Sequence, residues 1–379
     1  MAGRSFLKLV ALAAVLHLYL GLRLLPAMGL RGAGIALGIA LLAISSALVP
    51  AGLFAASLRR SRWGALLTWA SLTAMGLFSS LLVLTFARDL LLLVLTLAGP
   101  AQMPAIARAS AYGVPLLALA VTLIGVINAR RLARVKTVEV PLAGLPAALD
   151  GYTIVQVSDI HVGPTIKRGY LNAIVNRVNA LAGDAIAITG DLVDGSVAQL
   201  ALHTAPLQRL AARDGVFFVT GNHEYYSGAR EWIAELRRLG LTVLMNEHVL
   251  RKRDGAVLMI AGVADFTAHH YVAQHRSDPH QAAAGAPPGL AAKILLAHQP
   301  RTAAEAADAG FDLQLSGHTH GGQFWPWNLL VPLQQPYVAG LHRLRQLWVY
   351  TSRGTGYWGP PVRFGAPSEI SRIILRRAP

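Results

Sequence analysis

The chain has no cysteine among its 379 residues. That excludes disulfide staples, thiolate metal ligands and a thiol nucleophile, so any metal must be held by oxygen and imidazole nitrogen. Charge is also scarce. Asp, Glu, Lys and Arg make up 14% of the chain against 54% hydrophobic residues, and the mean hydropathy is +0.46. An ordinary soluble protein is less apolar than this. Acids are rarest at the front: residues 1–136 hold one, Asp89, beside 13 Lys and Arg, whereas residues 137–379 hold 18 acids and 21 bases. The net charge of +15 therefore sits mostly on the apolar half. A membrane surface explains it better than a nucleic acid, and no nucleic-acid partner is expected.

Four long runs carry little charge: Phe6 to about Met28, Gly34 to Leu58, Trp63 to Ala87, and about Ala111 to Ile127. Each approaches or exceeds the roughly 20 residues that cross a hydrocarbon core. Arg4 and Lys8 ahead of the first run also fit a signal peptide, but three further runs favour an anchor. Leu90–Leu97 reads as an interfacial helix or as an extension of the third run. Asp89, beside Arg88, belongs near an interface, and without an acid inside a run a transporter is disfavoured. With four spans, nine cations (Arg4, Lys8, Arg59, Arg60, Arg62, Arg130, Arg131, Arg134, Lys136) fall on one side and four (Arg23, Arg31, Arg88, Arg108) on the other. Both termini are then expected in the cytoplasm.

A different pattern begins after Lys136. Short β-branched runs at 153–158, 185–189, 216–220, 242–245, 257–263, 293–298 and 312–317 alternate with helical stretches near 166–182, 198–212, 228–239 and 301–309. This predicts an N-terminal all-α transmembrane region over 1–136 and an α/β domain over 137–379. Five of the strands end in donors: Asp159-Ile-His161, Gly190-Asp191-Leu-Val-Asp194, Gly221-Asn222-His223-Glu224, His298, and Gly317-His318-Thr-His320. Open α/β sheets bind ligands at the carboxyl ends of their strands, so these groups are expected to converge. Asp159, His161, Asp191, Asn222, His298, His318 and His320 are more donors than one ion needs. Two divalent ions sharing a carboxylate would use them all, a clamp suited to phosphoryl chemistry. In extended backbone the pairs Asp159/His161 and His318/His320 would each face one side. The ligand types suit Mn, Fe, Zn, Co or Ni alike.

The five motifs, in this order, resemble those of the calcineurin-like metallophosphoesterase family over about residues 150–379. The apolar half and the tail Ser352–Arg363 resemble its membrane-linked YkuE/YaeI-type branch. The resemblance implies a four-layer α/β/β/α sandwich. It implies that Asp159, His161 and His320 bind one metal, that Asn222, His298 and His318 bind the other, and that Asp191 bridges them. It makes His223 the catalytic residue that stabilises the phosphate or protonates the leaving oxygen, with Asp194 and Glu224 holding loops. The acidic pair usual in this branch near 257–263 is Ala264-Asp265 here.

Other features have plainer readings. His269, His270, His275 and His280 read as a lid loop rather than a second metal cluster, and Arg251–Arg253, before Asp254-Gly255, as a solvated hairpin turn. Arg353 and Arg363 are substrate-phosphate candidates or structural ion-pair partners. Phe324, Trp325, Trp327, Leu329, Leu330 and Val331 either pack beneath the ligand loop or face a bilayer or acyl chain. The resulting expectation is a multi-pass membrane enzyme with two divalent ions and a cytoplasmic catalytic domain. It would cleave phosphoester or pyrophosphate bonds, with a lipid-linked phosphate such as a diacylglucosamine nucleotide as leading substrate class. The alternatives are an esterase of soluble phosphates and a membrane module that only binds a phosphate ligand.

Overall fold

A computed structural model describes residues 2–54, 62–99 and 102–378. It divides the chain into two compact units, one of Met1–Arg130 with Gly359–Phe364, the other of Arg131–Trp358 with Gly365–Pro379.

The first unit contains α1 (Ala2–Met28), α2 (Ala33–Phe54), α3 (Arg62–Ala98) and α4 (Met103–Arg130). All four are long and apolar enough to cross a membrane. The end of the second apolar run at Leu58, and the cations Arg59 and Arg60, lie outside the described residues. Leu90–Leu97 continues α3 as helix. Asp89 is neutralised locally: Tyr19 Oη–H donates to it at 2.7 Å, Arg23 at 2.8 Å and Arg88 at 3.3 Å. Gly359–Phe364 joins these helices although it is far away in sequence. Val362 is seated where a Cβ on Gly125 or Gly76 would come within 2.4 or 2.8 Å of it. The Arg363 N–H donates to Gly125 O at 2.9 Å, and Asn128 donates to Arg363 O at 3.2 Å. Arg363 is fully buried here.

The second unit holds two six-stranded sheets. Its strands are β1 (Arg134–Leu142), β2 (Thr153–Val157), β3 (Ala185–Thr189), β4 (Val216–Val219), β5 (Thr242–Val243), β6 (Glu247–Arg253), β7 (Ala256–Gly262), β8 (Ala292–Leu296), β9 (Leu313–Ser316), β10 (Gly340–Leu344), β11 (Leu347–Thr351) and β12 (Glu369–Arg377). One sheet runs β1-β12-β2-β3-β4-β5, the other β10-β11-β9-β8-β7-β6. The sheets pack face to face through Ile154, Ala187, Phe217 and Val219 from the first and Ile260, Ile294, Leu315 and Tyr350 from the second. Helices α5 (Arg168–Asn179), α6 (Val197–Thr204), α7 (Asn222–Ser227) and α8 (Ala229–Arg238) lie in the chain among the strands of the first sheet. Their apolar faces bury Leu171, Ile174, Trp232 and Leu236, as a two-sided sheet requires. Helices α9 (Pro279–Ala283) and α10 (Ala303–Asp308) pack on the far side of the second sheet, where Ala306 and Phe311 meet Met259, Leu295 and Val349. This is the four-layer α/β/β/α sandwich.

Several elements differ from the sequence reading. The strands β1, β6, β10, β11 and β12 are additional to those the apolar runs predict. Helix α9 is additional to the helical stretches that the sequence predicts. Arg251–Arg253 ends β6, and the turn to β7 is Asp254-Gly255, both with positive φ (46° and 81°).

Candidate metal centre

Strands β2, β3 and β4 are parallel neighbours, as are β8 and β9. Their carboxyl ends therefore emerge on one side, and each of the five donor groups comes directly after one of them. The side chains meet. His161 Nε2 lies 3.0 Å from His320 Nε2, and His320 Nε2 lies 3.5 Å from Asp159 Oδ1. His298 Nε2 lies 3.2 Å from His318 Nδ1 and 3.2 Å from Asp191 Oδ2. Asp191 Oδ2 also lies 3.9 Å from His161 Nε2, so it stands between the two groups. Asp159–His161–His320 and Asp191–His298–His318 each bring their ligand atoms close enough to share an ion.

The backbone achieves this differently from the extended geometry that the spacing suggests. The paired donors are not on extended chain. Asp159 (φ 54°), His161 (54°), Asp191 (51°), His318 (71°) and His320 (51°) all adopt left-handed backbone. Asp and His are among the non-glycine residues that tolerate this region best, yet a residue held there still carries about 1–3 kcal/mol of strain. Packing and hydrogen bonds hold it. The Asp159 carboxylate accepts the His318 N–H at 3.0 Å, and Asp191 Oδ1 accepts the His223 N–H at 2.9 Å. Gly317 is obligatory at this crossing, since a Cβ there would come within 2.2 Å of Asp159 Oδ2.

Unpaired groups test whether these residues suit a metal. Asn222 Oδ1 is buried without a hydrogen-bond partner, while its Nδ2–H donates to Tyr226 Oη at 3.2 Å. Facing imidazole nitrogens 3.0 and 3.2 Å apart need a proton or a cation between them. Burial raises the pKa of Asp159. Burial, and then the His298 charge, pushes His318 down to about 3, so it is a neutral ligand at ordinary pH. Burial opposes charge on His298 and Asp191, yet their mutual attraction outweighs it, raising the first well above and holding the second well below their usual values. A cation entering here would replace the proton on His298, so its affinity should fall as pH falls. The residues present fit divalent metal in donor type and in the orphaned Asn222 Oδ1.

Two carboxylates expected only to hold loops can now be placed. Glu224 is buried and accepts the N–H groups of Gly221 (2.7 Å), Leu192 (2.8 Å), Asp191 (3.0 Å) and Val193 (3.3 Å), fastening the loops after β3 and β4 together. Asp194 has a further task. Its Oδ1 meets Nδ1 of His223 at 2.6 Å and Nδ1 of His161 at 3.2 Å, which turns both Nε2 atoms toward Asp191. Asp194→Asn should thus lower metal affinity or turnover about 10–100-fold, with the fold intact by circular dichroism. An unchanged metal affinity together with unchanged kcat would contradict this role.

The remaining sequence candidates separate. The Arg353 stem lies 2.9 Å from where a Gly321 Cβ would be, beside His320, and its guanidinium pairs with Glu369 at 3.3 Å. Arg363 lies in the helical unit. Asp265 is buried and accepts from Thr267 N–H (2.8 Å) and Gln299 Nε2–H (2.9 Å). His269, His270, His275 and His280 form no metal-binding group among the described residues. Their loop instead places His275 Nδ1 2.9 Å from Tyr225 Oη and Tyr271 against Tyr226. Phe324 is buried as the packing reading requires, but Trp325, Trp327, Leu329 and Leu330 are exposed.

Residues 152–322 match the family described as calcineurin-like phosphoesterase. The chain is 30% identical over 239 residues to the uncharacterized metallophosphoesterase YkuE of Bacillus subtilis, covering 61% of this chain and 81% of that protein. It belongs to the calcineurin-like metallophosphoesterase family. An uncharacterized metallophosphoesterase of Aquifex aeolicus is 31% identical over 225 residues, covering 59% and 84%. A bovine (Bos taurus) transmembrane protein with metallophosphoesterase domain is 41% identical over 246 residues, covering 62% of this chain and 55% of the relative. The match thus spans about half of that transmembrane relative's length.

Proposed function

We propose that this protein is a membrane-anchored phosphohydrolase using two divalent ions, with Asp159, His161 and His320 holding one, Asn222, His298 and His318 the other, and Asp191 both. The observation that carries this is Asp191 Oδ2, set between two donor groups and close to His223. Two ions held there would polarise a phosphate and acidify a water. The chain's own residues supply the rest. His223 Nε2 lies 3.9 Å from Asp191 Oδ2, and its Nδ1 is fixed by Asp194. Burial opposes its charge, but Asp191 and Asp194 outweigh burial and raise its pKa to about 9. Nearby dications would bring that value down toward the operating pH, where a general acid works best. His223 then donates its Nε2 proton to the departing oxygen. An acid beside the ions favours catalysis over mere phosphate binding.

The balance of cations between the loops supports a cytoplasmic catalytic domain. The apolar rim supports a lipid-linked substrate: Trp325, Trp327, Leu329, Leu330 and Leu333 are exposed on the segment just after His320. Replacing Trp325 and Trp327 by Ser should raise KM for a lipid phosphate several-fold and spare a small soluble ester. Equal loss on both would remove the lipid reading and leave a general phosphodiesterase or phosphomonoesterase. The activity itself is tested with full-length protein in detergent, metal-free and then with Mn, Zn, Fe or Mg, on bis(p-nitrophenyl) phosphate and p-nitrophenyl phosphate. Metal-dependent turnover is expected. Two bound ions without turnover on soluble or lipid esters would favour a binding module.

A further inference from the structure

We propose that Trp358, Tyr226 and Tyr271 form a subsite for a planar ring on the leaving group of the substrate. The inference rests on the phosphohydrolase reading and names the kind of group that departs. Large aromatic side chains are normally drawn inward, yet these three are 54%, 58% and 54% exposed. They are also contiguous with the acid. The His223 ring centroid lies 5.1 Å from that of Tyr226 and 5.9 Å from that of Trp358, while Tyr226 and Tyr271 are 5.6 Å apart.

Two of the three residues are anchored although they are exposed. Trp358 N–H donates to Gln323 Oε1 at 2.9 Å, and Gln323 Nε2–H donates to Trp358 O at 2.7 Å, so the loop after His320 clamps the tryptophan backbone. Tyr226 accepts from Asn222 at 3.2 Å, and Tyr271 comes from the loop after β7. Exposed rings fixed in advance lose little entropy when a ligand covers them.

Position selects the occupant. In an in-line displacement the departing oxygen takes the acid's proton, so whatever it carries lies beside His223. Water attacks phosphorus, the ester P–O bond breaks with its electron pair staying on that oxygen, and the proton from His223 completes an alcohol or phenol. The contacts of Trp358 and Tyr226 with His223, and of Tyr271 with Tyr226, are edge-on or tilted. None of these contacts is a parallel stack, and more than half of each side chain is exposed, which suits a nucleobase or another flat ring better than a branched alkyl group. The apolar segment 325–333 is not needed for this step.

The test is calorimetric binding to the full-length, Mn-loaded protein in detergent of four ligands: inorganic phosphate, phenyl phosphate, cyclohexyl phosphate and choline phosphate, on a time scale short of turnover or with the His223→Ala variant. Phenyl phosphate is expected to bind about tenfold more tightly than cyclohexyl phosphate, its non-planar counterpart, as one stacked ring allows. Trp358→Ala and Tyr271→Ala should each erase most of that preference, while inorganic phosphate, which reaches neither ring, binds as before. Equal affinity for the phenyl and cyclohexyl esters, or a preference that survives both substitutions, would overturn the proposal. So would tighter binding of choline phosphate, which would make the rings a cation site. Failure of inorganic phosphate to bind the metal-loaded wild type would remove the phosphohydrolase reading and this inference with it.

Discussion

Asp191→Asn is expected to cost on the order of 10³-fold or more in metal-dependent turnover, and to cost bound metal as well. Both oxygens of Asp191 are committed. Oδ1 accepts the His223 N–H at 2.9 Å, and Oδ2 faces His298, His161 and His223 at 3.2, 3.9 and 3.9 Å. An amide can keep one of these acceptor roles but cannot supply a charge shared by two ions. It would also leave His298 without the carboxylate that favours its imidazolium in the metal-free state. The variant should therefore fold, bind fewer than two ions by elemental analysis, and fail to turn over at saturating metal. Two ions bound with activity within tenfold of wild type would show that Asp191 does not bridge.

His223→Ala separates chemistry from metal binding. The imidazole is partly exposed, its Nδ1 is taken by Asp194, and it belongs to neither of the two proposed ligand sets, although it lies within reach of His161 and Asp194. Metal stoichiometry should hold while kcat falls about 10²–10⁴-fold on an ester whose alkoxide leaving group needs a proton. On p-nitrophenyl esters the loss should be much smaller, because nitrophenolate departs unprotonated. The raised pKa of His223 gives the sign of the pH effect. The acid is present below its pKa and lost above it, so wild-type turnover of alkyl esters should fall as pH rises through the lower value that His223 takes beside the metals. That limb should vanish in the variant. An equal loss on both ester types would assign His223 to phosphate binding instead.

Much of this is legible in the sequence because it depends on local order. Four charge-poor runs can satisfy their backbone in lipid only as helices, and their length is a property of the string. The donors come directly after apolar strands, and parallel strands deliver the loops at their carboxyl ends to one edge. Residue type and position in the string therefore suffice to name the seven ligand candidates, whereas His223 is named only through the family resemblance.

Other features depend on partners far away in the chain. Strand β1 pairs in parallel with β12, from Arg134 opposite Glu369 to Leu142 opposite Arg377, and neither Arg134–Leu142 nor Glu369–Arg377 carries the clean apolar run of a central strand. Asp and His tolerate left-handed backbone, but that tolerance does not single out Asp159, His161, Asp191, His318 and His320 in the sequence; the conformation is visible only in the fold. Asp194 reads as a loop residue in the sequence, and only the fold sets His161 and His223 on its two sides. The sequence by itself determined which residues can bind metal and which can span a bilayer, since both depend on chemistry and spacing. Only the tertiary structure decided which nitrogen faces which oxygen, that Gly359–Phe364 belongs with the helices, and that three exposed rings stand at the acid, because packing across hundreds of residues sets those distances.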